Sequence, residues 1–122
     1  MDYFLKTLQH RLLQPCLLLK HAGKGVTAVG GYALHSFNFS EGMLTWTVEL
    51  SNVRLEVDGH KVTVGQLTVC FTYRLGGTVK VHSITQDDIR GEIPRADAEK
   101  FADKVKTKTR DIIQDILDCT ES

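Results

Sequence analysis

The chain has 122 residues, of which 42% are hydrophobic and 25% are charged, and 15 basic and 15 acidic side chains cancel to a formal net charge of zero. This composition is typical of one globular domain, so we predict a single domain over residues 1–122. The charge balance disfavours a strongly basic nucleic-acid binder and an acidic disordered chain. A disulfide framework would leave one of the three cysteines unpaired, which favours free thiols and a reducing, cytoplasmic location.

The spacing of apolar residues near the N-terminus predicts an amphipathic helix over residues 3–22. Its apolar residues recur every three or four positions, at Leu5, Leu8, Leu12, Cys16 and Leu19. Pro15 predicts a kink or a division into two short helices, because proline removes a helical hydrogen bond. The apolar run within 12–19 is shorter than the roughly 20 residues that cross a membrane, and no cleavage site for a signal peptide follows it.

Residues 32–84 change to a period of two, which predicts antiparallel strands that each bury one face. Leu44, Trp46, Val48 and Leu50 alternate with polar residues, and so do Leu67, Val69, Phe71 and Tyr73. Turn signals separate the runs at 40–42, 58–59 and 76–77. The pattern predicts a four-stranded antiparallel meander, to which residues 26–29 can add a short strand.

The Asp58-Gly59 dipeptide predicts a type I′ turn, and that turn fixes the pairing of the longest hairpin. Leu55 then lies opposite Val62, and Val53 lies opposite Val64. Continuing along the arms pairs Leu50 with Leu67, Val48 with Val69, Trp46 with Phe71 and Leu44 with Tyr73. Apolar residues meet at each of these steps, so we predict one long β-ribbon from Leu44 to Tyr73.

The apolar face of this ribbon changes side partway along it. Leu50 and Val53 are three residues apart and so point to opposite faces, and the opposite arm switches in the same way. A pair of bulges, one of them at Gly65, would return the tip to the core. Strong twist of the ribbon could do part of the same work. If neither occurs, a partner must cover the apolar tip. The tip residues are therefore our interface candidates: Val53, Leu55, Val57, Val62 and Val64.

Residues 95–118 are predicted to form a second amphipathic helix, with its apolar stripe at Ala98, Phe101, Val105, Ile112, Ile116 and Leu117. The resulting fold class is α+β, with both helices against one face of the meander. The predicted core contains Leu8, Leu12, Trp46, Val48, Val69, Phe71, Phe101, Val105 and Ile112.

The sequence carries no recognisable catalytic or metal-binding motif. The five histidines share no ligand spacing: His10, His21, His35, His60 and His82. Cys70 has the pattern of a half-buried strand residue. Asp87, Asp88 and Glu92 surround Arg90 in the predicted connector 85–93, where a solvated loop is the simpler interpretation. We predict no catalytic residue, no metal and no cofactor, and therefore no enzyme.

The favoured function is a non-catalytic interaction or assembly protein that associates with itself. It would use the apolar ribbon, or add strands at the sheet edges 32–39 and 78–84. An alternative is a carrier of an apolar ligand such as a lipid, held between the sheet and the helices. A second alternative is a small enzyme in which His35, His82 or the 87–92 segment converge on a cleft.

Overall fold

The structure, a computed structural model, describes residues 12–14, 16, 19 and 26–121. Five antiparallel strands and one long helix follow one another here: β1 (Val26–Ala28), β2 (Gly31–Ser40), β3 (Met43–Val57), β4 (His60–Arg74), β5 (Val79–Gly91) and α1 (Ala98–Glu121). Because β1 and β2 pair with successive parts of β3, they share one edge of the sheet. The predicted antiparallel meander with a C-terminal helix is confirmed, which makes the fold α+β.

Two predicted boundaries differ from the structure. The segment 85–93, predicted as a connector, is mostly strand, because β5 continues beside β4 until Gly91 lies opposite Val62. A run of charged residues favours a solvated loop, yet an exposed edge strand can carry the same residues. The C-terminal helix covers Ala98–Glu121 rather than 95–118. The predicted helix 3–22 lies largely outside the described residues, as does Leu8, although 12–14 and 16 are helical.

The predicted register of the long hairpin is confirmed at every step from Leu55 and Val62 to Leu44 and Tyr73. Asp58 and Gly59 have φ of 51° and 81°, as the type I′ turn requires. Trp46 and Phe71 therefore lie on the same face, where their rings stack with centroids 5.3 Å apart.

The face of the ribbon switches without the predicted pair of bulges. β3 and β4 stay in step on both sides of the switch, since Ser51 pairs with Gln66 and Val53 pairs with Val64. Asn52 instead adopts a left-handed conformation with φ of 51°, which interrupts the alternation of side chains at that point. Leu50 and Val53 are consequently both fully buried in one core.

The same interruption crosses the neighbouring strands at one level. Asp88 of β5 is also left-handed, with φ of 57°, and Gly65 of β4 lies between Asn52 and Asp88. Asn and Asp tolerate this conformation better than other residues with a side chain. We call Asn52, Gly65 and Asp88 the kink row. Arg90 bridges it, because its guanidinium donates to Asn52 Oδ1 at 3.0 Å and lies 3.3 Å from Asp88 Oδ2.

The five tip residues proposed as interface candidates lie in the core of the chain itself. Val53, Leu55, Val57, Val62 and Val64 are at most 3% exposed. They belong to one cluster with residues of α1, such as Phe101 and Val105, and with Leu12, Cys16 and Leu19. The kink row places the tip on the same face as the base of the ribbon, so the chain covers it without a partner.

Helix α1 packs chiefly against β5 and also reaches the tip of the long hairpin. Gln86 Nε2 donates to the Ala102 carbonyl at 2.7 Å, and the Val81 amide donates to Gln114 Oε1 at 3.4 Å. Nearer the tip, Lys104 Nζ lies 3.1 Å from Asp58 Oδ2. At the other side of the core, Trp46 Nε1 donates to the Leu12 carbonyl at 3.0 Å.

Candidate interaction surface

Among the residues that the structure describes, strand β2 pairs only with β3 and therefore forms an edge of the sheet, with an unusual composition. Its ten residues, Gly31–Ser40, include no Lys, Arg, Asp or Glu, in a chain of which 25% is charged. Three of its aromatic side chains are exposed: Tyr32 by 41%, Phe37 by 48% and Phe39 by 57%. Edge strands are commonly protected by charges, prolines or short length. Beyond a register shift beside Leu34, β2 has none of these protections.

The β2–β3 turn shows which backbone groups of β2 point away from the sheet. Ser40 pairs with Met43 around Glu41 and Gly42, whose φ values of 53° and 75° define a type I′ turn. The pair that closes such a two-residue loop is hydrogen-bonded, and hydrogen-bonded pairs alternate along antiparallel strands. Ser40 and Asn38 therefore bond to β3, whereas the N–H and C=O groups of Phe37 and Phe39 point outward.

The aromatic side chains of this segment belong to the apolar face of the sheet. Phe37 lies opposite Trp46, and Phe39 lies opposite Leu44. Leu44 in turn pairs with Tyr73, and both are only half-buried. We call residues 36–40 of β2 the open edge. It combines outward backbone groups with an exposed apolar margin of the core face.

The opposite edge, formed by β5, differs in both respects. Its Val81 amide already donates to Gln114 of α1. A register shift interrupts the pairing with β4 between Cys70 and Phe71, which leaves His82 as the extra residue. Charged Lys80 and Arg90 also lie on this strand. Within the described part of the chain, no strand pairs with the outer side of the predicted edge 32–39, whereas α1 partly occupies the predicted edge 78–84.

The described titratable groups that the sequence singled out lie apart. His35 Nε2 is 2.7 Å from Glu49 Oε2, His60 packs edge-on against Phe101, and His82 is exposed on β5. Within residues 26–121, no group of three His, Cys, Asp or Glu side chains is arranged to hold a metal ion. His10 and His21 lie outside the described residues.

The predicted acidic cluster is divided among local contacts. Asp87 Oδ1 accepts from the Asp88 amide, Asp88 pairs with Arg90, and Glu92 Oε2 accepts from the Lys61 amide at 2.9 Å. A different charged group, which the sequence pattern did not indicate, lines a depression between the β3–β4 turn and α1: Asp58, His60, Asp97, Lys100 and Lys104. Only register and helix packing bring these residues together.

The two cysteines whose side chains are described have different environments. Cys16 is fully buried, and burial raises the pKa of its thiol to about 12 because the thiolate would lose its hydration. Cys70 is half-buried on the face of the sheet opposite the core, beside Thr47. The Cys119 side chain lies outside the described part.

Four of the surface depressions are lined by described residues. Each is lined in part by charged side chains, as in the depression at the hairpin tip formed around Arg54, Glu56 and Lys61. No helix within the described residues is long and apolar enough to cross a membrane.

We compared the chain with known protein families, curated proteins and solved structures. No family model, no curated protein and no solved structure matches this chain.

Proposed function

We propose that this protein is a non-catalytic interaction protein that binds another polypeptide by strand addition at the open edge. The observation that carries the proposal is the exposed, uncharged segment around Phe37 and Phe39, whose backbone groups point outward. In strand addition the main chain supplies the hydrogen bonds, and alternate side chains supply specificity. Because α1 partly occupies the β5 edge, β2 is the favoured site.

The alternation of side chains along the open edge defines the chemistry of its partner. Phe37 and Phe39 lie on the core face, whereas Ser36 and Asn38 lie on the opposite face. A matching strand would place apolar or aromatic side chains beside the two phenylalanines and small polar ones beside the other pair. The absence of Lys and Arg from β2 argues for a protein segment rather than a nucleic acid. The free Cys16 and Cys70 support our expectation of a reducing, cytoplasmic location.

A synthetic peptide tests strand addition directly. The probe has the sequence of residues 32–40, and its control carries proline at the position of Phe39, whose N–H would face the edge of the protein. We expect the probe to slow hydrogen exchange at the Phe37 and Phe39 amides, which pairing would bury, while amides in β4 keep their rates. The proline peptide should protect less because it lacks a donor. Unchanged exchange at about 1 mM probe, which corresponds to about 4 kcal/mol of binding, would contradict the proposal.

A pair of protein variants provides the matched control. Phe39→Pro removes an N–H that points outward, so the fold should tolerate it while the edge loses a donor. Asn38→Pro removes an N–H that bonds to β3 and should lower the free energy of unfolding. Phe39→Val keeps the donor and separates loss of the hydrogen bond from loss of the ring. Probe binding should survive Phe39→Val in weakened form and disappear in Phe39→Pro.

A further inference from the structure

We infer that the strand which the open edge accepts is the open edge of a second copy of this chain, paired antiparallel about a two-fold axis at Asn38. The inference rests on the proposed function, because it names the partner of the same site. Three properties of β2 support it: the direction of its backbone groups, the spacing of its aromatic residues and its lack of charge.

The direction of the backbone groups limits the possible registers. Residues whose groups point outward must meet each other in hydrogen-bonded pairs, and here these are Phe37 and Phe39. An axis at Asn38 places Phe37 opposite Phe39 of the second copy, and Phe39 opposite Phe37 of the second copy. An axis at Phe37 would instead place Phe39 against the register shift near His35. An axis at Phe39 would place Phe37 against the turn residue Glu41.

The Asn38 axis therefore pairs the outward backbone groups of both phenylalanines at once. Each forms a cross-strand aromatic pair, and such pairs stabilise antiparallel sheets. The two core faces become continuous, so the exposed rings of Phe37 and Phe39 lose contact with water. Asn38 faces its own copy across the axis in a pair without backbone hydrogen bonds, where side chains approach closely.

The charges of the segment are compatible with self-pairing. In a two-fold interface any charge near the axis meets its own copy, and like charges opposite each other destabilise a sheet. Residues 31–40 contain no Lys, Arg, Asp or Glu, and His35 is the one side chain among them that could carry a positive charge. His35 already faces Glu49 in its own chain, and the Asn38 axis brings Glu41 of the second copy near it. The groups that face this histidine are therefore acidic.

The first experiment measures whether the intact chain associates through this edge. A one-strand interface is small and predicts a weak, reversible dimer, so sedimentation equilibrium should cover about 1 µM to about 1 mM. We expect dimer at the upper end for the unmodified chain, and monomer throughout for Phe39→Pro with unchanged circular dichroism. Val81→Pro is the control on the occupied edge and should not reduce association in the folded fraction.

The second experiment tests the register by cysteine cross-linking in a background that carries Cys70→Ser and Cys119→Ser and retains only the buried Cys16. Asn38→Cys should form a disulfide-linked dimer on mild oxidation, because the residue faces its own copy across a non-hydrogen-bonded pair. Ser36→Cys alone and Ser40→Cys alone should cross-link at least tenfold more slowly. A mixture of these two variants should form the mixed dimer, because each position lies opposite the other.

The outcomes separate the inference from the proposed function. If the chain stays monomeric near 1 mM while the peptide still protects Phe37 and Phe39, the second-copy inference fails and strand addition stands. If neither association nor protection occurs, both fail. A dimer that persists in Phe39→Pro, or that cross-links equally well at 36, 38 and 40, would place self-association at another surface and overturn the inference.

Discussion

Substitution of Gly65 by alanine tests the kink row, the feature that joins the two halves of the sheet into one core. A Cβ at Gly65 would lie 2.8 Å from the Cβ of Asp88 and 2.3 Å from its Oδ2. The carboxylate can rotate away, but the Cβ of Asp88 is fixed to a backbone with φ of 57°. Overpacking of this kind costs about 1–3 kcal/mol. We expect Gly65→Ala to lower the free energy of unfolding by about 2 kcal/mol.

A second substitution should rescue the first if the contact with Asp88 is the cause. Asp88→Gly removes the obstructing Cβ and suits the left-handed conformation. On its own it removes an ion pair with Arg90 whose side chains are 55% and 59% exposed, which is worth about 0–1 kcal/mol. In the Asp88→Gly background, Gly65→Ala should cost less than about 0.5 kcal/mol, so the pair should be strongly non-additive.

Urea denaturation of the four proteins in this cycle measures the coupling. Gly59→Ala is a matched control, because a Cβ there meets nothing within 4 Å and its cost arises only from φ of 81°. Its effect should be the same with and without Asp88→Gly. If Gly65→Ala costs equally in both backgrounds, the close approach to Asp88 is not what requires glycine at this position.

Two further predictions concern single residues. Asn52→Gly should be more stable than Asn52→Ala by about 1 kcal/mol in urea denaturation. Both variants lose the contact with Arg90, but only alanine is strained at φ of 51°. The opposite order of stability would show that residue 52 is not held in the left-handed conformation. The raised pKa of Cys16, about 12 against an ordinary 9.0, favours the neutral thiol in the folded state, so its contribution is complete below pH 9.0 and declines as pH rises from 9.0 toward 12. Cys16→Ala should remove that part of the decline, and identical pH profiles for the two proteins would contradict it.

The hairpin register could be predicted because its information is local. A period of two and the Asp58-Gly59 turn together determine which residues of β3 and β4 face each other. The face switch was visible in the spacing of Leu50 and Val53, but its mechanism was not. Asn52, Gly65 and Asp88 are far apart in the chain and form a row only when three strands are in register. Nothing periodic marks a single left-handed residue.

The fate of the hairpin tip could not be decided from sequence for a similar reason. Burial of Leu55 and Val62 depends on what covers them, and the cover comes from α1 and from residues such as Leu19. The difference between the two sheet edges also depends on tertiary packing, since Gln114 reaches Val81 across 33 residues of sequence. The absence of charged residues from Gly31–Ser40 is visible in the sequence. It indicates an interaction surface only when the sheet topology shows that β2 is an edge strand.

The kink row determines which apolar side chains the core buries, and the open edge carries two that remain exposed. Because Asn52 and Asp88 turn the tip residues onto the core face, the core is complete from the hairpin tip to the stacked rings of Trp46 and Phe71. Phe37 and Phe39 lie beside this core on the neighbouring strand β2 and remain about half exposed, at 48% and 57%. These two aromatic side chains lie outside the buried core, on a strand without Lys, Arg, Asp or Glu. Their exposure to water is unfavourable, because apolar surface is stabilised by burial. Pairing with another strand would cover them, which is why the interaction surface of this protein is expected at the open edge and not at the apolar tip.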